Sequence, residues 1–115
     1  MENLFKVLGD ENRLRILNLL RENELCVCEI ENILETTQSN VSRHLTRLRN
    51  LDLVVFEKRS QWTYYEMNPK FIKKNKQLYE YLTTEMNRNE RFIKDLEKLK
   101  KNPNSRIECD PIKNK

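Results

Sequence analysis

The sequence predicts a mostly α-helical domain: three short helices and a polar-faced fourth, then a two-stranded hairpin, then one long closing helix. Three observations carry this reading. Apolar residues recur at helical spacing before residue 50 and again beyond residue 70. Between them stands "LVVFEKRSQWTYYEM", rich in β-branched and aromatic residues. The chain also holds one glycine in 115 residues, which argues against a glycine-rich phosphate loop.

Residues 2–8 place Leu4, Phe5, Val7 and Leu8 on a first short helix that stops at Gly9, read as a left-handed turn. "ENRLRILNLLR", residues 11–21, carries Leu14, Ile16, Leu17, Leu19 and Leu20, a stripe too wide for a surface helix, so the second helix is core. From Cys26 to Glu35 the spacing of Val27, Ile30, Ile33 and Leu34 suits a short amphipathic helix, which Thr36 and Thr37 interrupt. Thr37 is a good N-cap for "QSNVSRHLTRLRNL", since its hydroxyl can accept free amides of the first turn.

In that fourth helix Val41, Leu45 and Leu48 form one narrow apolar line. At about 100 degrees per residue the opposite face collects Ser39, Asn40, Arg43, Thr46 and Arg47, with Gln38 and Ser42 nearer its edges. The hairpin follows, with strands over Leu53–Glu57 and Trp62–Met67 around a polar turn of Lys58, Arg59, Ser60 and Gln61. The long last helix runs from Lys70 to Lys100 with Met86, Ile93, Leu96 and Leu99 along it, until Asn102 and Pro103 end it. The expected organisation is one domain over 1–101, with a flexible polar tail over 102–115 that carries Cys109.

A helix face of short hydroxyls, amides and arginines suits a major groove, because Arg forks onto guanine and Asn or Gln onto adenine. Any solvated helix shows polar residues, so the neighbours decide. A short helix and tight turn precede this one, which makes a helix-turn-helix, and a basic hairpin follows it as a wing. Between Gln38 and Gln61 stand Arg43, Arg47, Arg49, Lys58 and Arg59 against Asp52 and Glu57. The candidate DNA contacts are Gln38, Ser39, Asn40, Ser42, Arg43, His44 and Arg47 on the helix, with Lys58, Arg59 and Gln61 on the wing. His44 flanks the apolar line and reads equally well as a phosphate contact or as a brace.

Overall charge fits this partner without demanding it, with 22 Lys and Arg against 18 Asp and Glu. The N-terminal "MENLFKVLGDEN" has no basic region ahead of an apolar run, and no window approaches a membrane span, so a cytoplasmic protein is expected. Three cysteines in that compartment read as reduced ligands, redox groups or packing atoms rather than as a disulfide framework. A thiol enzyme would want a C-x-x-C pair or a Cys and His couple, and neither is offered, so no enzymatic activity is expected. A helical interaction module without DNA binding is opposed by the arginine face and the basic wing.

Cys26 and Cys28 lie one residue apart in "ELCVCEI". Thiolates are soft ligands for soft ions, and such a pair is a partial chelate. On an ideal helix residues i and i+2 point about 200 degrees apart, so both can grip one ion only if that turn unwinds. The sequence therefore predicts two sulfurs facing apart, and a ligand that shifts the helix before the DNA-reading one. The bland alternative makes Cys26 a small buried hydrophobe. Cys109 could reach the pair, since nine extended residues beyond Lys100 span about 30 Å, or it is an unremarkable tail thiol.

Four motifs in this order, "LGDENRLRIL" (8–17), "ELCVCEI" (24–30), "QSNVSRHLTRLR" (38–49) and "WTYYEM" (62–67), resemble the ArsR/SmtB family of metal-responsive winged-helix repressors, the arsenic type in particular. The resemblance covers roughly residues 2–68. It implies a winged helix-turn-helix whose long C-terminal helix dimerises, and a homodimer that represses its own operon on double-stranded operator DNA. Arsenite or antimonite, bound by Cys26, Cys28 and a third ligand such as Cys109, would be the inducer. A cadmium-, lead- or zinc-responsive repressor, or a thiol-redox one, is the alternative. Metal sensors with this pair usually add thiols from an N-terminal extension, and only "MENLF" stands ahead of the first helix here, which tilts the expectation toward arsenic or antimony.

The chain departs from the family at three places. Asp52 stands where a glycine usually follows the recognition helix, and Ser60 stands near the usual wing-tip glycine. Glu31 stands where arsenic sensors often carry a third cysteine. A zinc site on the last helix, known in some relatives, is not expected, because no His lies beyond residue 44.

Overall fold

The computed structural model describes residues 2–101, so Cys109 and the tail lie outside the described residues. The elements are α1 (Glu2–Leu8), α2 (Glu11–Leu20), β1 (Leu25–Cys26), α3 (Val27–Leu34), α4 (Gln38–Asn50), β2 (Val54–Arg59), β3 (Trp62–Met67), α5 (Pro69–Lys74), α6 (Lys76–Arg88) and α7 (Glu90–Lys101). They form the expected winged helix-turn-helix, with α3 and α4 as the motif and β2–β3 as the wing. Among the described residues no helix is long and apolar enough to cross a membrane.

Capping sets the helix starts. Asp10 Oδ1 accepts from the amides of Asn12 at 2.8 Å and Arg13 at 3.2 Å, opening α2. Thr37 Oγ1 accepts from Asn40 N at 3.2 Å, as its place in the sequence predicts, and opens α4. One continuous core then joins α2, α3, α4 and the wing: Ile16, Leu17 and Leu19, then Ile30, then Val41, Leu45 and Leu48, then Leu53, are all fully buried. At about 1.5–3 kcal/mol for each large apolar side chain buried, that core is what holds α4 still.

Four features differ from the sequence expectation. The sheet has three strands in the order β1-β3-β2, with Leu25 opposite Tyr65 and Cys26 opposite Tyr64. The wing strands run to Arg59 and Trp62, so only Ser60 and Gln61 turn. The long C-terminal helix is broken in two places. Asn75 (ψ 45°) separates α5 from α6, and Asn89, in an extended conformation, separates α6 from α7 while its Oδ1 accepts from Arg91 N at 3.0 Å. Side-chain competition for backbone amides is why Asn stops helices. Finally, Gly9 does not use positive φ; a Cβ there would instead lie 3.3 Å from the Phe5 carbonyl oxygen.

The break at Asn89 lets α7 fold back onto α2. Arg15 donates through Nε and Nη2 to both oxygens of Asp95, at 2.8 and 2.9 Å, and Asn18 Nδ2 donates to the Phe92 carbonyl at 3.0 Å. Arg13 ties α1 to the same helix by donating to two carbonyls of its last turn, Val7 at 2.7 Å and Lys6 at 3.2 Å.

Asp52 and Ser60, the two positions where the family resemblance leads one to expect glycine, do take left-handed backbone, with φ of 59° and 60°. Among the two turn residues only Ser60 has positive φ, the pattern of a type II′ hairpin. A left-handed L-residue costs roughly 1–2 kcal/mol, partly offset by the extra chain entropy glycine loses on folding. Ser60→Gly is therefore expected to stabilise the fold by about 0.5–1 kcal/mol, seen as a higher thermal unfolding midpoint. A lower midpoint would show that this turn is not strained.

Candidate nucleic-acid interface and thiol cluster

Core burial of Val41, Leu45 and Leu48 leaves the opposite side of α4 outward. Gln38, Ser39, Arg43, Thr46 and Arg47 are exposed there, and Asn40 and Ser42 are half-buried. Part of this face is already ordered. Asn40 Nδ2 donates to Thr36 Oγ1 at 3.1 Å, and Arg43 Nη2 donates to Asn40 Oδ1 at 2.8 Å. The Arg43 fork is thus held over the first turn of α4, which lowers the entropy lost when it meets a base.

His44 is not part of the exposed face. It is 8% exposed, and its Nδ1 lies 3.4 Å from Nη1 of Arg13. Burial lowers its pKa below the ordinary imidazole value, against the pull of Asp10 and with help from Arg13, Arg43 and Arg47. The inward imidazole braces α4 on α2 through Arg13. The sequence held the clue, because Val41, His44, Leu45 and Leu48 follow the i, i+3, i+4, i+7 rule of a buried stripe. Arg13 follows it too, with Ile16, Leu17 and Leu20.

On the wing, Lys58 and Gln61 are exposed, whereas Arg59 is drawn back into contacts with Glu24, Glu57 and Tyr64. Sequence reasoning missed Arg49 and Phe56 as a pair. The Arg49 guanidinium lies 4.9 Å from the centre of the exposed Phe56 ring, and Phe56 leans on Tyr65 at 6.0 Å. This contact joins the end of α4 to the wing.

The cysteine pair is placed differently from the helical expectation. Cys26 is not inside a helical turn; it is the last residue of β1 and the N-cap of α3, with φ −90° and ψ 167°. It is 1% exposed and forms a cluster with Tyr64, against which half-buried Cys28 and Trp62 pack. The two cysteines therefore share one cluster instead of lying on opposite sides of a helix, because extended backbone at Cys26 cancels the turn between them. Among the described residues, the Trp62 indole Nε1 is the buried side-chain donor with no acceptor.

Electrostatics around Cys26 keep it protonated. Its amide donates to Oε1 of buried Glu29 at 3.0 Å, in a capping box closed by the Glu29 amide on the Cys26 sulfur. Burial, reinforced by the Glu29 carboxylate, pushes the Cys26 thiol up to about 11. Cys26 is a free thiol, and chelation by both sulfurs belongs to the reduced protein. As donors the two sulfurs fit a soft thiophilic ion as a partial set. Among the described residues no group of three or more His, Cys, Asp or Glu is arranged to hold a metal ion, and Cys109 lies outside them.

Comparison with known proteins agrees with this geometry. The family described as "Bacterial regulatory protein, arsR family" matches residues 10–55, which cover α2, the helix-turn-helix and the start of the wing. The arsenic resistance transcriptional regulator ArsR1 of Pseudomonas putida is 43% identical over 67 residues, 57% of this chain and 52% of that protein. The cadmium resistance transcriptional regulatory protein CadC of Listeria innocua is 42% identical over 66 residues, 56% of each chain. The matched segment thus spans little more than half the length of these curated relatives. Among solved structures, reduced HlyU from Vibrio cholerae is similar with a TM-score of 0.59 and 38% identity, covering 70% of this chain and 84% of that one. On this evidence, from a helix-turn-helix matched by the family's own pattern to a solved relative covered over most of its length, the chain belongs to the ArsR family of bacterial regulatory proteins.

Proposed function

We propose that the chain is a transcriptional repressor that binds operator DNA as a homodimer and leaves it when trivalent arsenic or antimony is taken up by reduced Cys26 and Cys28. One observation carries the reading: Cys26 belongs at once to the strand paired with the wing and to the N-cap of the first helix of the helix-turn-helix. A ligand that moves this residue disturbs both DNA-facing elements. Dimerisation is supported by Phe5, Tyr81 and Ile93, which α1, α6 and α7 leave 58%, 63% and 38% exposed. The third ligand position falls to solvent, a small thiol or Cys109, since Glu31 stands where a third local cysteine would be.

The test is a titration of reduced protein on its own promoter fragment with arsenite, antimonite, cadmium, lead and zinc. Release at the lowest concentration by arsenite or antimonite supports the proposal, release by cadmium alone transfers the chain to a cadmium sensor, and no duplex binding at low salt overturns the repressor. A thiol-redox repressor is the second reading, favoured by Cys28 packing beside the free Cys26 in one cluster. Release by a thiol oxidant without any ion distinguishes it.

On the DNA side, Arg43→Ala is expected to weaken operator binding by about 1–3 kcal/mol and to relax base preference at one position of each half-site. Competition between operator variants reads this out, and unchanged preference would remove Arg43 from base recognition.

A further inference from the structure

The wing arginine is engaged at the surface by its own chain. Arg59 Nη1 lies 2.6 Å from Oε1 of Glu24 and Nη2 lies 2.9 Å from Oε2, a bidentate pair, with Oε2 of Glu57 at 3.1 Å. The same guanidinium sits 5.0 Å from the centre of the Tyr64 ring. Tyr64 is 3% exposed, packs on Cys26 and is its partner across the β1–β3 ladder. Glu24 immediately precedes β1. The contacts therefore close a ring: Arg59 to Glu24, along the chain to Cys26, across to Tyr64, and back under Arg59.

We propose that Arg59 is a positioning residue that clamps the wing onto the segment Glu24–Cys26, and that this clamp passes the state of Cys26 to the wing. The inference rests on the DNA-binding and thiol-effector reading above. A phosphate contact is the obvious role for a wing arginine, but here two carboxylates already face the guanidinium, and a phosphate would have to displace Glu24 beside Glu57. Lys58 is the wing cation suited to the backbone: it is exposed and makes no ion pair among the described residues. When Cys26 leaves its cap to hold a ligand, Tyr64 and the short β1 ladder shift with it. Glu24 then moves away from Arg59 and the wing loses its fixed pose.

Operator binding by the full reduced chain across a salt series tests the clamp. Arg59→Ala and Glu24→Gln are both expected to weaken binding several-fold with the wild-type salt slope, and the double variant to be no worse than either alone. Lys58→Ala, which removes one phosphate contact from each half of the dimer, should instead lower the slope by about 1.8. Glu24→Gln removes a negative charge, so weaker binding runs against simple electrostatics. Tighter binding by Glu24→Gln, or a flatter slope for Arg59→Ala, would make Arg59 a phosphate contact and overturn the clamp. Amide hydrogen exchange of β2 and β3 gives a readout without DNA. Both variants, and wild type with arsenite, should exchange faster there. Unchanged wing exchange in the two variants overturns the clamp even if no duplex is bound, whereas absent duplex binding with faster exchange overturns only the repressor reading.

Discussion

Asp95→Ala is expected to cost about 3–5 kcal/mol of folding stability. Arg15 and Asp95 meet through two charge-assisted hydrogen bonds, and their side chains are only 14% and 7% exposed. Removing the carboxylate leaves a mostly buried guanidinium between α2 and α7 without its bidentate partner, facing only the more distant carboxylates of Glu11 and Glu35. Set against the roughly 5–15 kcal/mol that keeps a small domain folded, the loss takes a third or more of the total. The helix released is α7, whose Phe92 and Leu99 are each 5% exposed against the core. Two comparisons isolate the cause. The pair Arg91–Glu11 joins the same two helices at 3.1 Å but is more than half exposed on both sides, so Glu11→Ala should cost no more than about 1 kcal/mol. Arg15→Met combined with Asp95→Leu should recover most of the loss, because an apolar pair needs no counter-charge. Denaturant midpoints at equal slope measure all three, and a cost for Asp95→Ala no larger than that of Glu11→Ala would show that the pair carries no special weight.

Legibility in the sequence followed the range of each interaction. The helix-turn-helix was readable because its determinants are local: Thr37 caps α4 from one turn away, and the stripe from Val41 to Leu48 has helical period. The left-handed residues Asp52 and Ser60 were readable as departures at positions where the family resemblance expects glycine. Strand β1 was not, since its two residues carry no periodicity and its partners Tyr64 and Tyr65 lie about forty positions away. Missing it is what put Cys26 inside a helical turn and the Cys28 sulfur on the opposite side from it. The break at Asn89 was local but quiet, one polar residue in a run of good helix formers. Arg59 shows the opposite limit: a charge count identifies a basic wing, but only the tertiary placement of Glu24 shows that this charge is already engaged.

The largest functional effect is expected from the thiols. Cys26→Ser and Cys28→Ser should each still bind operator and should not release it at arsenite concentrations that free wild type. Serine at position 26 suits the site, because Ser-x-x-Glu with Glu29 is a favoured capping box, so the fold and the α4 face survive the change. What is lost is the ligand. Moving a dimer from almost fully bound to almost fully free needs roughly 5.5 kcal/mol of preference for the DNA-free form, more than one remaining thiol supplies. The raised pKa of about 11 at Cys26 adds a second, discriminating expectation. Baring that thiolate at pH 7 costs about 5 kcal/mol, which a divalent cation must meet by displacing the proton. Neutral arsenous acid avoids this cost: each thiol replaces one hydroxyl, and the thiol proton leaves with that hydroxyl as water, with no net proton released. The arsenite midpoint for operator release should therefore stay flat between about pH 6.5 and 8.5, while a cadmium midpoint should fall by up to about a hundredfold per unit rise in pH, tenfold for each of the two thiol protons displaced. Release by arsenite from the Cys26→Ser, Cys28→Ser double variant would end the thiol mechanism and leave Cys26 as a helix cap packed on Tyr64.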